Sequence, residues 1–308
     1  MSEHHLTAEV VVATDDDKTA EDIAQKWFGI AIRRFSNEPE RFAKESPKPF
    51  DFPSAKWGDL SKVFGSWSRS HRDAIPVGRA PLGREGTADA ARFLSHGYSD
   101  LSLTLFIPAP PGETESDGRW AKFDFEAEWP VSGSYRVSFS IEEDLLLDRE
   151  HGKATQDFLV DLLREFSTGL DTRFGQIGYW QSLGRTGLEM SLPFPYGNPA
   201  RNRLVDDEMI RGYSWITMFP ESIADRLGGF ETFAAESLHE VSRIPGGGIL
   251  VRACEDYRNY YPGSMRELWR ILSPVLPPST PREAPLYPGE SPLGIVYSLP
   301  VGHAKPSP

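Results

Sequence analysis

Two segments of strictly alternating polar and apolar residues, 122–129 and 135–141, restrict the fold of this 308-residue chain most. The first reads Lys-Phe-Asp-Phe-Glu-Ala-Glu-Trp and the second Tyr-Arg-Val-Ser-Phe-Ser-Ile. A period of two is typical of strands that turn one face toward a core. If Phe125 lies opposite Phe139, every cross-strand pair puts its apolar members on the same face. That agreement predicts a β-hairpin and its register.

Other patterns place helices and further strands around this hairpin. Apolar residues recur at three- and four-residue steps over about 18–35 and 154–168, which predicts two amphipathic helices. Shorter helices are predicted after Pro220, over 230–238, and after Ser264, which with Glu267 forms a capping-box pattern. Further strands are predicted at 8–13, 62–68, 99–107, 174–180, 213–219 and 248–254. We therefore predict an α+β fold with a mixed or antiparallel sheet packed by several helices.

Proline and glycine positions predict the domain organisation. A Pro/Gly-rich loop at 193–199 predicts an internal boundary near residues 193–200 of one α+β domain spanning 1–275. Prolines recur from residue 274 to residue 300. Because proline removes a backbone donor and fixes φ, residues 276–308 are predicted to form an extended, Pro-rich tail.

The charge balance limits the classes of partner. The formal net charge is −12 and the isoelectric point about 5.1. A field of this sign repels phosphate backbones and anionic lipid, so neither nucleic acid nor a membrane is expected as a partner. The acidic balance favours a basic partner, or simply keeps the protein in solution.

The single cysteine and the N-terminal sequence point to the cytoplasm. Cys254 cannot form an intramolecular disulfide, which fits a reducing compartment, and its apolar neighbours predict a small buried residue. The N-terminus lacks the basic and apolar regions of a secretion signal, and the sequence has no apolar stretch long enough for a membrane span.

The sequence contains no recognisable catalytic or cofactor motif. The segment 178–186 has the wrong spacing for a phosphate-binding loop and carries Arg185 where lysine belongs. One cysteine with scattered histidines does not make a zinc site. We therefore predict a protein that is not an enzyme, with no catalytic residues, no cofactor and no metal.

The acidic residues of the predicted hairpin form the first candidate site. Asp124, Glu126 and Glu128 lie at alternate positions, so they share a strand face with carboxylates about 7 Å apart. Three interpretations are open: a solvated face with Arg136 as partial counter-charge, a surface that binds a basic partner, or a metal or acid–base site. We refer to these three residues as the acidic ladder.

A polar-aromatic loop between the strand at 248–254 and the last helix forms the second candidate. Tyrosine and arginine are enriched at the energetic centres of protein interfaces. An ordinary packed connector is the alternative interpretation. The candidate partner-binding residues of this loop are Asp256, Tyr257, Arg258, Tyr260 and Tyr261.

The C-terminal third resembles a known family, the bacterial immunity proteins of type VI secretion and polymorphic-toxin systems. The resemblance covers mainly residues 211–277. The residues that carry it are Gly212-Tyr213-Ser214-Trp215-Ile216-Thr217, Arg226-Leu227-Gly228-Gly229, the Gly246-Gly247-Gly248 strand with Ile249 to Val251, and Leu272-Ser273-Pro274-Val275-Leu276. The helix around Phe158–Phe166, followed by Gly175 and Gly178, lies where such proteins carry a comparable helix and glycine-containing segment.

The resemblance implies neutralisation of a cognate toxin by direct, non-catalytic binding in the cytoplasm. An acidic inhibitor also suits a basic toxin, because opposite charges raise the association rate. Two alternatives from other classes stay open. One is an enzyme that uses a carboxylate set such as the acidic ladder, and the other is a structural component of a secretion or phage-like assembly that docks through the Pro-rich tail.

Overall fold

A computed structural model describes residues 5–14, 17–37, 64–71, 74–81, 100–108, 120–128, 133–147, 149, 152–179, 185–198, 208–246, 248–283 and 295–300. The strands in these ranges are β1 (His5–Ala13), β2 (Phe64–His71), β3 (Ala74–Pro81), β4 (Asp100–Pro108), β5 (Trp120–Glu128), β6 (Ser134–Glu142), β7 (Thr172–Tyr179), β8 (Ile216–Phe219), β9 (Glu240–Ile244), β10 (Gly248–Arg252), β11 (Thr280–Glu283) and β12 (Ile295–Ser298). The protein has an α+β fold, and the strand pairings described below are antiparallel.

The helices of the described ranges connect or cover these strands. They are α1 (Asp17–Asn37), α2 (Glu143–Leu147), α3 (Gly152–Ser167), α4 (Gly187–Ser191), α5 (Glu221–Arg226), α6 (Phe230–Ala234) and α7 (Met265–Leu272). Single turns of 3-10 helix lie at Tyr257–Asn259 and Ser273–Val275, and a π-helical turn lies at Tyr260–Ser264. Among the described helices, none offers the length of apolar sequence that crossing a bilayer requires.

The chain divides into two compact units. Unit 1 comprises Met1–Ala13 and Glu142–Pro308, and unit 2 comprises Thr14–Ile141. The N-terminal strand belongs to unit 1 because β1 pairs along its length with β7, from Leu6 opposite Tyr179 to Val12 opposite Thr172. The loop at 193–198, where an internal boundary was predicted, lies inside unit 1, and the two units divide at 13/14 and 141/142.

Unit 2 contains the predicted hairpin. Its strands lie in the order β3-β2-β4-β5-β6, and Phe125 lies opposite Phe139 as the alternation predicts. The buried residues of α1 include Trp27 and Phe28, on the stripe that its periodicity predicts. One expectation is corrected: Arg136 of β6 is buried instead of lying on a solvated face, and it has interaction partners there, as a buried charge requires.

Unit 1 is built on strands in the order β1-β7-β8-β10-β9. Its core strands are apolar on both faces, since Val10, Val11 and Val12 are all fully buried. Polar residues are also buried in these strands, and one cross-strand pair joins two of them, since Gln176 Nε2 donates to Glu9 Oε1 at 2.8 Å. That bond satisfies two polar groups that would otherwise be costly to bury.

The predicted helix at 154–168 is α3, and it turns its apolar stripe inward. Leu159, Leu163 and Phe166 are fully buried there. Gly169 follows the helix with φ +76°, a conformation that glycine adopts without strain. Its backbone N–H donates to Pro245 O at 2.7 Å, so the end of α3 is tied to the turn between β9 and β10.

The C-terminal part differs from the sequence expectations in local structure. Ser264 does not cap α7, because it already has helical φ/ψ and its side chain makes no capping bond. Strand β9 lies directly before the turn that begins at Pro245, in a segment where no strand was predicted. Within the predicted tail, β11 pairs with β12 from Thr280 opposite Ser298 to Glu283 opposite Ile295.

Candidate functional site

The second candidate of the sequence, which we call the Tyr257 loop (residues 254–263), leaves β10 and leads into α7. An ion pair within the loop shapes its first turn. Asp256 Oδ1 accepts from the Arg258 backbone N–H at 2.9 Å and from Arg258 Nε at 2.9 Å. A second contact joins Arg258 Nη2 to Asp256 Oδ2. The Arg258 side chain therefore lies folded back over its own turn.

A buried glutamine of α3 ties the loop to unit 1. Gln156 is fully buried and sits between two backbone groups. Its Nε2 donates to Leu146 O at 3.0 Å, and its Oε1 accepts from the Tyr257 N–H at 3.0 Å. The same amide donates to Asp256 Oδ1 at 3.2 Å. One side chain thus fixes both the backbone and the carboxylate of the loop.

Tyr257 anchors the loop in an aromatic cluster. Its ring packs edge-on against Trp215 at a centroid distance of 5.6 Å and lies 6.4 Å from the Tyr179 ring. Its hydroxyl donates to Glu143 Oε1 at 3.3 Å, and the Tyr179 hydroxyl donates to the same carboxylate oxygen. Aromatic contacts of this kind add to the gain from burial, so Tyr257 is a core residue.

Charged residues beneath the loop form a second set of ties. Arg252 is buried, and its Nη2 donates to Asp157 Oδ1 at 3.0 Å and to the Glu255 carbonyl. Lys153 Nζ donates to the same Asp157 oxygen at 2.9 Å. Two cations therefore share one carboxylate at the base of the loop.

The titratable groups in and around the Tyr257 loop have pKa values that keep their charge states fixed near neutral pH. The hydrogen bonds from Arg258 hold the pKa of Asp256 well below its usual range, so this carboxylate is a weak base. Burial raises the pKa of Tyr257 and of Tyr179 above the ordinary value, so both stay protonated at neutral pH. Burial also raises the pKa of the Cys254 thiol. Cys254 was predicted to be buried in the core, and the structure shows it half-buried. Groups with these pKa values do not exchange protons readily near pH 7.

The loop divides its predicted residues between the core and the surface. Tyr257 and Tyr260 are buried, whereas Tyr261 is 38% exposed and the Arg258 side chain 41% exposed. The surface side of the loop therefore presents an arginine and a tyrosine on an anchored backbone. Two of the five predicted residues, Arg258 and Tyr261, are therefore exposed, and Asp256 orients Arg258.

The acidic ladder lies on β5 of unit 2. Asp124 and Glu126 are paired with Ser140 and Ser138 of β6, and all three ladder residues are paired with β4. The side chains of Asp124, Glu126 and Glu128 lie outside the described residues, so the binding role of the ladder stays a prediction. In the described parts of the chain, no group of three or more His, Cys, Asp or Glu residues is arranged to hold a metal ion.

A third feature was not predicted from the sequence. Helix α4 begins with a capping box in which Thr186 Oγ1 accepts from the Glu189 N–H at 3.1 Å and Glu189 Oε2 accepts from the Thr186 N–H at 2.8 Å. The pattern Thr-x-x-Glu at 186–189 is visible in the sequence. The signal that could have located α4 was therefore present.

The glutamate of this cap is also half of a buried ion pair. Arg211 Nε donates to Glu189 Oε1 at 3.1 Å and Nη2 donates to Oε2 at 2.9 Å, and both side chains are fully excluded from solvent. Thr186 Oγ1 donates in turn to Arg211 O at 3.0 Å. Gly212 permits this approach, because a Cβ there would lie 2.6 Å from Thr186 Oγ1. A buried polar network therefore fixes the position of α4.

Two large apolar side chains project from this fixed segment. Met190 of α4 is 42% exposed and Phe194, in the turn that follows, is 72% exposed. The turn folds back on the helix, since Gly197 N–H donates to Pro193 O at 3.1 Å. A Cβ at Gly197 would lie 2.4 Å from Leu192 O, so only glycine allows that approach. The backbone that carries Met190 and Phe194 is thus held in place, and both side chains are exposed to solvent.

Comparisons with known proteins do not assign this fold or these sites to a family. No protein-family model, no curated protein and no solved structure matches the chain. The functional argument therefore rests on the residues described above.

Proposed function

We propose that this protein is an immunity protein that neutralises a cognate bacterial toxin by direct, non-catalytic binding. The resemblance over residues 211–277 suggests the class, and the Tyr257 loop supports a binding role. The toxin system would be of the type VI or polymorphic kind. This role requires a stable complementary surface and no reacting group.

The observation that carries the proposal is the contrast between the two sides of the Tyr257 loop. On its inner side, Gln156 and Tyr257 fix the backbone through hydrogen bonds and ring packing. On its outer side, Arg258 and Tyr261 are exposed. A side chain on an ordered backbone loses less conformational freedom when it binds, and Tyr and Arg are the residue types that contribute most at interfaces.

The overall charge supports the expected sign of the toxin. With a net charge of −12, the protein attracts a basic partner over long range and increases the association rate at low salt. The acidic ladder is the local counterpart of this field in unit 2. A basic toxin is therefore the partner that the charge favours, in agreement with the prediction that nucleic acid and anionic membranes are not partners.

Co-expression tests this function directly. The chain is expressed together with the product of each adjacent reading frame, and growth and co-purification are measured. Rescue of growth from one toxic neighbour, together with a stable complex, is the expected result. If no neighbour is toxic and none co-purifies, the immunity function is wrong, and the enzyme and assembly alternatives take its place.

Variants of the loop connect the function to the site. Tyr261→Ala and Arg258→Ala are expected to weaken toxin binding by about tenfold or more, as residues at the centre of an interface do. Arg243→Ala is the matched control, because Arg243 is also an exposed, ion-paired arginine of unit 1. Equal affinities for all three variants would exclude the Tyr257 loop from the interface.

A further inference from the structure

The guanidinium of Arg185 has no acidic partner among the described residues. Its Nη1 lies 3.9 Å from Met190 Sδ, a weak acceptor. Its Nε is buried and has no hydrogen-bond partner. Guanidinium groups present five donors and bind carboxylates through two parallel hydrogen bonds.

The same place carries the exposed apolar side chains of the α4 segment. Arg185 contacts Met190 directly, and Phe194 follows four residues later on the turn that packs against the end of α4. Leu188 and Leu192 of the segment are buried, so the helix uses other positions for its own packing. Met190 and Phe194 leave part of their apolar area in water.

We propose that Arg185, Met190 and Phe194 form a docking surface for a protein segment in which an apolar side chain lies next to a carboxylate. The apolar side chain would cover Met190 and Phe194, and the carboxylate would pair with Arg185. Identifying the owner of that segment as the neutralised toxin rests on the proposed function. Arginine, methionine and aromatic residues are the types enriched in the cores of protein interfaces.

The fixed position of α4 supports this role. The Thr186 cap and the buried Glu189–Arg211 pair hold the helix, and the close approach of Gly197 holds the turn. A surface held in this way binds without first being ordered, so more of the contact energy appears as affinity. The positive charge of Arg185 selects a carboxylate at this one point of the docked segment, because a basic group next to the apolar side chain would be repelled. The net charge of −12 acts instead over long range on the partner as a whole, so a basic toxin with a local acidic segment satisfies both.

The test uses methionine methyl NMR and two model peptides. The chain has five methionines, so ¹³C-methyl labelling gives few signals, and Met190→Leu assigns the one from Met190. The first peptide carries leucines flanked by aspartates, and the second is identical except for lysines in place of the aspartates. We expect the aspartate peptide to shift the Met190 signal and to bind about tenfold more tightly than the lysine peptide. Buried Met218 serves as the internal control and is expected not to shift.

Two variants separate the charge from the apolar contact. Arg185→Gln is expected to remove the preference between the peptides, and Phe194→Ala to weaken both by about tenfold. Phe194 is mostly exposed, so its loss leaves the fold intact. The proposal is overturned if the aspartate peptide does not shift the Met190 signal. It is also overturned if Arg185→Gln still binds the aspartate peptide more tightly than the lysine peptide. The peptide test does not use the toxin, so its outcome is independent of co-expression. If the aspartate peptide shifts the Met190 signal but no neighbour is rescued in co-expression, the docking surface is supported and the immunity function is overturned.

Discussion

Arg211 and Glu189 are joined by two hydrogen bonds of 3.1 and 2.9 Å although neither side chain is reached by solvent. Removing one charge of a buried pair leaves the other uncompensated, which costs about 3–5 kcal/mol. We therefore expect Glu189→Gln to lower the free energy of unfolding by about that amount. The substitution keeps an oxygen that can accept from the Thr186 N–H, but its NH2 group cannot accept from Arg211 Nε, so the loss reports the charge together with that hydrogen bond. Urea denaturation measures this change in the free energy of unfolding.

An exposed ion pair provides the matched control. Arg243 Nε donates to Glu221 Oε1 at 3.0 Å, with the two side chains 53% and 61% exposed. Exposed pairs contribute about 0–1 kcal/mol, because solvent screens them. Glu221→Gln is thus expected to change the urea midpoint little. If Glu189→Gln and Glu221→Gln lower the free energy of unfolding equally, the buried pair stabilises the protein no more than an exposed one. The pair would then not be what holds α4.

The close approach of Gly212 to Thr186 gives a second prediction. A Cβ at residue 212 would lie 2.6 Å from Thr186 Oγ1 and 2.9 Å from Thr186 Cγ2. Gly212→Ala is expected to destabilise the protein by about 1–3 kcal/mol through overpacking. Adding Thr186→Ser, which removes Cγ2 and keeps the cap, should restore part of the loss. Thermal unfolding of the single and double variants measures the coupling.

A neighbouring glycine serves as the control for this substitution. A Cβ at Gly187 would meet nothing within 4 Å, and the residue lies in α4. Gly187→Ala is expected to leave the stability unchanged or to raise it by up to about 1 kcal/mol, since alanine favours the helix. A loss in Gly187→Ala as large as that in Gly212→Ala would mean that crowding by Thr186 is not the cause.

The fold was predictable where the pattern is local. Strands β5 and β6 alternate over 122–128 and 134–142, so one register satisfies both, and Phe125 lies opposite Phe139. Helix α3 has a periodic stripe and a glycine at its end. Both features depend on residues close in sequence, whose periodicity is set by backbone geometry.

The candidate site was predictable only in part, because its decisive contacts are between distant residues. Tyr257 looks like its neighbour Tyr261 in sequence, yet its N–H pairs with Gln156, 101 residues earlier, which makes it a core residue. Glu189 and Arg211 are 22 residues apart, and nothing local marks them as partners. The cap predicted at Ser264 failed because the preceding turn is already helical.

The Tyr257 loop should make stability depend on acid pH. The hydrogen bonds from Arg258 hold the pKa of Asp256 below its ordinary value of about 3.9. The unfolded chain therefore takes up the proton first, so the contribution is present above about pH 4 and is lost as the pH falls toward the folded pKa. We expect the stability difference between wild type and Asp256→Asn to shrink below about pH 4, measured by urea denaturation between pH 2 and 6. A difference that is constant over this range would contradict the prediction.

The C-terminal hairpin of β11 and β12 should depend on Tyr297. This buried residue donates its hydroxyl to the Tyr213 hydroxyl at 2.8 Å, and the two rings pack edge-on at 6.1 Å. Tyr297→Phe keeps the ring and is expected to lower stability by about 0.5–1.5 kcal/mol. Tyr297→Ala also removes the ring, so it should lower the free energy of unfolding by about 3–5 kcal/mol.

Digestion with trypsin reports how readily the hairpin is released. Trypsin cleaves after arginine, and Arg282 lies in β11, opposite Val296 of β12. Cleavage after Arg282 should be faster in Tyr297→Ala than in Tyr297→Phe, whereas equal rates would mean that Tyr297 does not anchor the hairpin.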